Sequence, residues 1–197
     1  PPPTPPPPPP PPPPRLLRRQ RQLCIRDSEL WFKKSATTDA TLRERFGEQV
    51  EQALAGELDA WAESDRGLVA LVLLLEQFTR NIYRDSPQAF AGDARALALA
   101  QQCIARGHHQ RLPAIHQVFL FMPLEHAEDP DLQEECVELF GELAAVTGSG
   151  EVQRSLQYAV AHRDVIRQFG RFPHRNAVLG RDSTAEELEY LKTHGGF

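Results

Sequence analysis

Apolar residues recur along this chain at helical spacing, and no stretch alternates as a strand would. Leu42, Phe46, Val50, Ala53 and Leu54 mark one face of a helix that Thr38 caps and Gly56 ends. Leu58 and Trp61 form a short packed link. Ser64 then opens a helix apolar nearly all round from Leu68 to Leu75, which makes it the central, buried one. Its far end turns polar. Gln77, Arg80, Asn81 and Arg84 follow at i, i+3, i+4 and i+7 and share one face.

Five further helical patterns follow. Ser86-Pro87 starts a short turn, and Asp93 caps a helix through Leu97, Ala100, Cys103 and Ile104. Pro113 starts another, with Ile115, Phe119 and Met122 inward, and Pro123 is expected to stop or kink it just before Glu125-His126. Asp129-Pro130 opens a helix with Leu132, Cys136, Leu139, Phe140, Leu143 and Val146 on its apolar face. Beyond Gly148-Ser149-Gly150, Val152, Leu156, Ala159, Ile166 and Phe169 mark the next, with Gly170 as its terminator. Ser183-Thr184-Ala185-Glu186 reads as a capping box for a last helix that buries Leu188 and Leu191. The pattern predicts an all-α protein of about seven helices, with short links that make neighbours antiparallel.

Composition adds a boundary. Thirteen of the eighteen prolines fall in the first fourteen residues, and RLLRRQRQLCIR follows. Residues 1–26 are therefore expected to be a disordered Pro/Arg-rich arm or a wrongly assigned start, and 27–197 a single helical domain. The formal net charge is −5, and the arm's five arginines leave the remainder near −10. So acidic a body lacks the basic stripe that nucleic acid requires. The longest apolar run, Val69 to Leu75, is too short to span a membrane. Cys24, Cys103 and Cys136 show no CxxC spacing, and the last two sit at apolar helical positions. That fits a reducing compartment, the cytoplasm.

Candidate chemistry gathers in the loop Phe169–Gly180. It carries Arg171, His174, Arg175 and Asn176 beside Phe172, Val178 and Leu179, a mixture expected of a loop pressed onto the protein with its polar groups aimed inward. His162, near the end of the preceding helix, and Glu125-His126 add further titratable groups.

The body resembles DUF924, a bacterial family of unknown function. The resemblance rests on Trp31-Phe32-Lys33-Lys34, the run Leu73 to Arg84, Met122 to Asp129, His162-Arg163-Asp164, Gly170 to Asn176, and Leu179 to Thr184. It implies an all-helical, tetratricopeptide-like right-handed array and no particular reaction. The family usually reads Asp-Gln-Phe-Pro where this chain has Glu76-Gln77-Phe78-Thr79, and Glu-His-Ser where it has Glu125-His126-Ala127. Its usual opening segment is replaced here by the proline and arginine run.

Two chemistries could use these groups. A metal site would take Glu125, His126, His162 and His174, but no HExxH-type spacing supports it, and no metal ligand or cofactor is assigned. An anion site would take Arg80, Arg84, Arg171 and Arg175 as forks for phosphate or carboxylate, with Gln77, Asn81 and Asn176 beside them. Glu125, His126, His162 and His174 are then the acid and base candidates. No GxSxG, Walker loop or Cys-His pair supplies a nucleophile. The functional expectation is a pocket for a small anionic ligand, with hydrolysis as the reaction it could support. The alternative is a protein- or peptide-binding module in which the cluster is structural: Arg171 and Arg175 hold carbonyls and Asn176 holds the turn.

Overall fold

The structure, a computed structural model, describes residues 35–195. The proline arm, Cys24 and Trp31-Phe32 lie outside the described residues. Among the described residues there are seven helices and no strand. Helix α1 is Ala36–Ala55. Helix α2 starts as Asp65–Leu73, widens into a π segment at Leu74–Phe78 and closes with Thr79–Ile82. Then come α3 (Asp93–Ala105), α4 (Ala114–Glu125), α5 (Pro130–Thr147), α6 (Gly150–Phe169) and α7 (Ala185–His194). Short 3-10 turns fill Asp59–Glu63, Pro87–Phe90, His108–Arg111 and Pro173–Arg175.

Helix α2 is the axis of the core. Every residue from Gly67 to Thr79 is buried, because α1, α3 and α4 all pack on it. Phe46 meets Phe78 at 5.1 Å between ring centroids, and Phe121 meets Phe140 edge-on at 5.4 Å, tying α1 to α2 and α4 to α5. Helix α6 lies along α5 and also touches α4. Val165, Ile166 and Phe172 form a second, smaller cluster with Phe169 and Tyr190, and it seats the loop after α6. Cys103 and Cys136 are buried free thiols, as their positions suggested.

Several local expectations shift. Ser35, not Thr38, caps α1, and its hydroxyl accepts from the Thr38 N–H at 3.3 Å. Gly92 occupies the N-cap position of α3, and Asp93 is the first helical residue, because Arg80 takes its carboxylate. Pro123 does not stop α4; it sits within the last turn, and the helix ends two residues later. The capping box is Thr184 with Glu187, one residue on from the expected pair. That places Glu187 inward, where Arg171 and Asn176 bond it, and leaves Leu188 52% exposed. Val146, in the last turn of α5, is 86% exposed rather than part of the apolar face.

Candidate functional site

The site begins where α2 widens. A π turn inserts one extra residue into a helix, and such turns recur at functional sites. Here it carries Glu76 and Gln77, both buried. Thr79 Oγ donates to the carbonyls of Leu75 (3.0 Å) and Glu76 (2.8 Å) at the end of the wider turn. Gly92 presses on the same turn: a Cβ there would stand 2.1 Å from the Leu75 carbonyl oxygen, so only glycine permits the approach. The approach brings the start of α3 to Arg80, which binds both Asp93 oxygens at 2.8 and 2.9 Å and Glu76 Oε1 at 3.0 Å.

Across from Glu76 lies the end of α4. Gln133 on α5, fully buried, donates through Nε2 to the carbonyls of Leu124 (3.3 Å), Glu125 (2.6 Å) and Ala127 (2.8 Å). The Leu124 carbonyl also accepts from the Ala127 N–H at 3.1 Å, but the Glu125 and Ala127 carbonyls would otherwise be unpaired at a helix end. With the end fixed, His126 Nδ1 meets Glu76 Oε1. Burial alone would raise the Glu76 pKa, but Arg80, His126 and Gln77 overcome it and hold the group at about 2. Glu76 is therefore an acceptor, His126 Nδ1 carries the hydrogen, and Nε2 holds the lone pair. Burial keeps His126 below its ordinary pKa despite Glu76, so the ring is neutral at pH 7.

The neighbouring pair differs. His162 Nδ1 donates to the Tyr158 carbonyl at 2.8 Å and lies 3.2 Å from Glu125 Oε1. Burial, with the adjacent Glu76 charge, pushes Glu125 up to about 8, and burial, with His126 adding to it, pushes His162 down to about 3. At pH 7 this is a neutral carboxyl beside a neutral imidazole. Glu125, His126 and His162 each offer a ligand atom within 4.8 Å of the others, so among the described residues these three could hold a metal ion. His174 is outside that trio. It stands beside Phe172 at 5.7 Å between centroids, and burial and Arg175 lower it to about 4.

Arg175 comes from the 3-10 turn Pro173–Arg175 and is 6% exposed. Its guanidinium lies over Phe172 (4.3 Å) and Phe90 (5.1 Å), and Nη1 donates to the His126 carbonyl at 3.0 Å. Nε has no hydrogen-bond partner among the described residues. No carboxylate among them forms an ion pair with this side chain, and burial, reinforced by Arg80, lowers its pKa to about 10. A cavity of about 370 Å³ opens beside it, lined on its polar side by Asp93, His126, Glu128, Asp129 and Arg175. The loop is fastened there by Glu128, which accepts from the Phe172 N–H at 2.8 Å and from Arg181 at 2.6 and 2.9 Å.

The candidates named from sequence thus separate. Glu125, His126, His162 and Arg175 converge, with Gln77 bonded to Glu76 at 2.6 Å behind them. The four-arginine fork does not assemble. Arg80 is committed to Asp93 and Glu76. Arg84, with Asn81, turns to Asp39 on α1 at 2.7 to 3.1 Å. Arg171 binds Glu187, and Asn176 bonds Ser183 and Glu187. The expected four-residue stripe breaks because the π turn changes the phase of α2 and Arg84 lies beyond the helix end. Glu76, Asp93, Glu128 and Gln133 were missed. Glu76 had a signal: a carboxylate directly after a run of buried leucines has to find partners.

The sequence profile of the family described as bacterial protein of unknown function (DUF924) matches residues 21–195. Among solved structures, the chain is similar to a protein of unknown function, ATU0120, from Agrobacterium tumefaciens. The two are 37% identical with a TM-score of 0.77, over 87% of this chain and 92% of that one. No curated protein matches.

Proposed function

Since the chain belongs to the DUF924 family, whose description carries no activity, its role has to be read from the site, and we propose that the cavity beside His126 and Arg175 binds a small anionic molecule. The observation that carries this reading is Arg175. A buried guanidinium without an ion-pair partner is costly to the fold, and a bound anion offsets that cost. His126 is the proton-exchanging group. Glu76 fixes its tautomer and leaves Nε2 as the proton acceptor, as a carboxylate does for a catalytic histidine. Glu125, His162 and His174 support it as neutral neighbours. The lining holds no serine, threonine or cysteine, so in this reading the nucleophile of a hydrolysis is water. The buried thiols fit the cytoplasm, no helix among the described residues is long and apolar enough to cross a membrane, and neither nucleic acid nor membrane is a partner in this reading.

A second reading is a tetratricopeptide-like array that presents a groove to a protein or peptide, with the polar cluster structural. Arg171, Arg84 and Asn176 favour it, since each is spent on a neighbour. Thermal unfolding of the full chain with a panel of small anions separates the two. A concentration-dependent rise in midpoint, lost in Arg175→Met, supports the pocket. No rise with any anion supports the module.

A further inference from the structure

We propose that Glu125, His126 and His162 bind one divalent transition-metal ion, zinc or a close neighbour in the series, where His126 enters the cavity wall. The site stands on its own three side chains and does not depend on the anion reading above. Geometry comes first. Among the described residues, these three each place one ligand atom within 4.8 Å of the other two, and small rotations of the side chains bring them onto one ion. Two elements supply them. Glu125 ends α4 and His126 follows it, while His162 is on α6, which packs against α4. The two rings stand 5.5 Å apart between centroids, and Phe172 packs edge-on against His162 at 5.5 Å. Two imidazoles and one carboxylate, without sulfur, form a donor set that catalytic zinc and non-haem iron(II) both use.

The surroundings come second. A histidine that binds a metal through one nitrogen gives the hydrogen on the other to a carboxylate or a backbone carbonyl, which fixes the ring. Both arrangements are in place. His126 Nδ1 meets Glu76 Oε1, and His162 Nδ1 donates to the Tyr158 carbonyl at 2.8 Å, so the lone pair of each ring falls on Nε2. Glu76 is held in turn by Gln77 and Arg80. Charge agrees. Four carboxylates, Glu76, Asp93, Glu128 and Asp129, stand around the cavity against three guanidiniums, those of Arg80, Arg175 and Arg181. That leaves one negative charge in excess, and Glu125 bound as a carboxylate makes it two, which a divalent ion cancels. Its proton leaves as the ion enters. Arg175 is the charge that opposes the ion, and its Nη1 is turned to the His126 carbonyl rather than to the ring. Three protein ligands leave room for water, and zinc brings the pKa of a bound water to about 7. Such a water is the nucleophile that the lining, without serine, threonine or cysteine, does not provide. His126 then holds the ion instead of exchanging a proton itself.

The test uses the untagged full chain, freed of metal by dialysis against a chelator, with zinc and magnesium ions as probes, read by calorimetric titration and thermal unfolding. One zinc per chain should bind and raise the midpoint, and magnesium, which prefers oxygen donors, should bind at least about tenfold more weakly. Glu125→Gln should weaken zinc binding by about tenfold or more, since losing a group that merely orients a ligand already costs that much. Nitrogen NMR of the unaltered protein should show zinc shifting Nε2 of His126 and His162. No stoichiometric zinc binding would overturn the inference. So would zinc shifts confined to other histidines, such as the exposed His194, or zinc binding that Glu125→Gln leaves unchanged. The NMR reading needs no variant, so it decides the matter whether or not Glu125→Gln folds.

Discussion

Glu76 and His126 meet across the gap between α2 and α4, fifty residues apart in the chain, and the carboxylate decides which nitrogen of the ring carries the proton. The relationship needs three supports. The π turn buries Glu76, Arg80 holds its charge, and Gln133 pins the helix end that carries His126. Each support can be removed separately.

In the intact protein, nitrogen NMR should find His126 protonated at Nδ1 and bare at Nε2 at pH 7. Glu76→Gln leaves the volume and removes the charge. The amide oxygen can still accept from Nδ1, so the ring should keep its tautomer and weaken as a base. An unchanged His126 titration in the variant would mean that the Glu76 charge does not act on the ring.

Gln133 serves three carbonyls from one amide nitrogen. Gln133→Leu fills the space and leaves the Glu125 and Ala127 carbonyls bare in the interior. A loss of about 1–3 kcal/mol in urea unfolding is expected, the usual cost of a buried unsatisfied group. A variant as stable as the parent would show that the α4 end needs no clamp.

Gly92→Ala puts a methyl against the Leu75 carbonyl. The start of α3 has to back away and take Asp93 from Arg80. Overpacking of this kind costs about 1–3 kcal/mol. The more telling outcome is on Glu76: as Arg80 loosens, its carboxyl should titrate at higher pH, which carboxyl-carbon NMR reads.

How far such contacts could be foreseen depends on their range. The helices were legible because apolar spacing and caps are local, as with Ser64, which accepts from the Gly67 N–H at 3.2 Å. The loop around Phe172 was recognisable as packed because a polar loop has no other reason to carry an aromatic. The arginine fork was not legible. Nothing in the run from Gln77 to Arg84 shows that a π turn precedes it, or that Asp39 and Asp93 wait on different helices to claim its arginines. Gln133 was hidden for the same reason, since a single glutamine on a helix looks like surface until the end of α4 is placed against it.

Stability should fall toward both acid and alkali for opposite reasons. Folding raises Glu125 from 4.5 to about 8, so the folded chain keeps a proton the unfolded chain releases. That contribution is full below pH 4.5 and is lost as pH rises through 8. His162 and His174 are lowered from 6.5 to about 3 and about 4. Their contribution is present above pH 6.5 and is lost as pH falls toward those values. Glu125→Gln cannot lose a proton. Relative to the parent it should therefore be more stable at pH 9 than at pH 5. Parallel pH profiles would show that Glu125 is ionised in the folded protein.

The most direct measurement is the urea unfolding of Arg175→Met at pH 7 with no ligand present. Methionine keeps much of the side chain's bulk and removes its unpaired charge. If Arg175 is held ready for an anion, the variant should be as stable as the parent or more so, because the desolvation cost of the charge is gone. If the loop's arginine is instead a structural clamp, its bond to the His126 carbonyl and its contact with Phe172 are what count. A variant less stable by about 2 kcal/mol or more would then contradict the account.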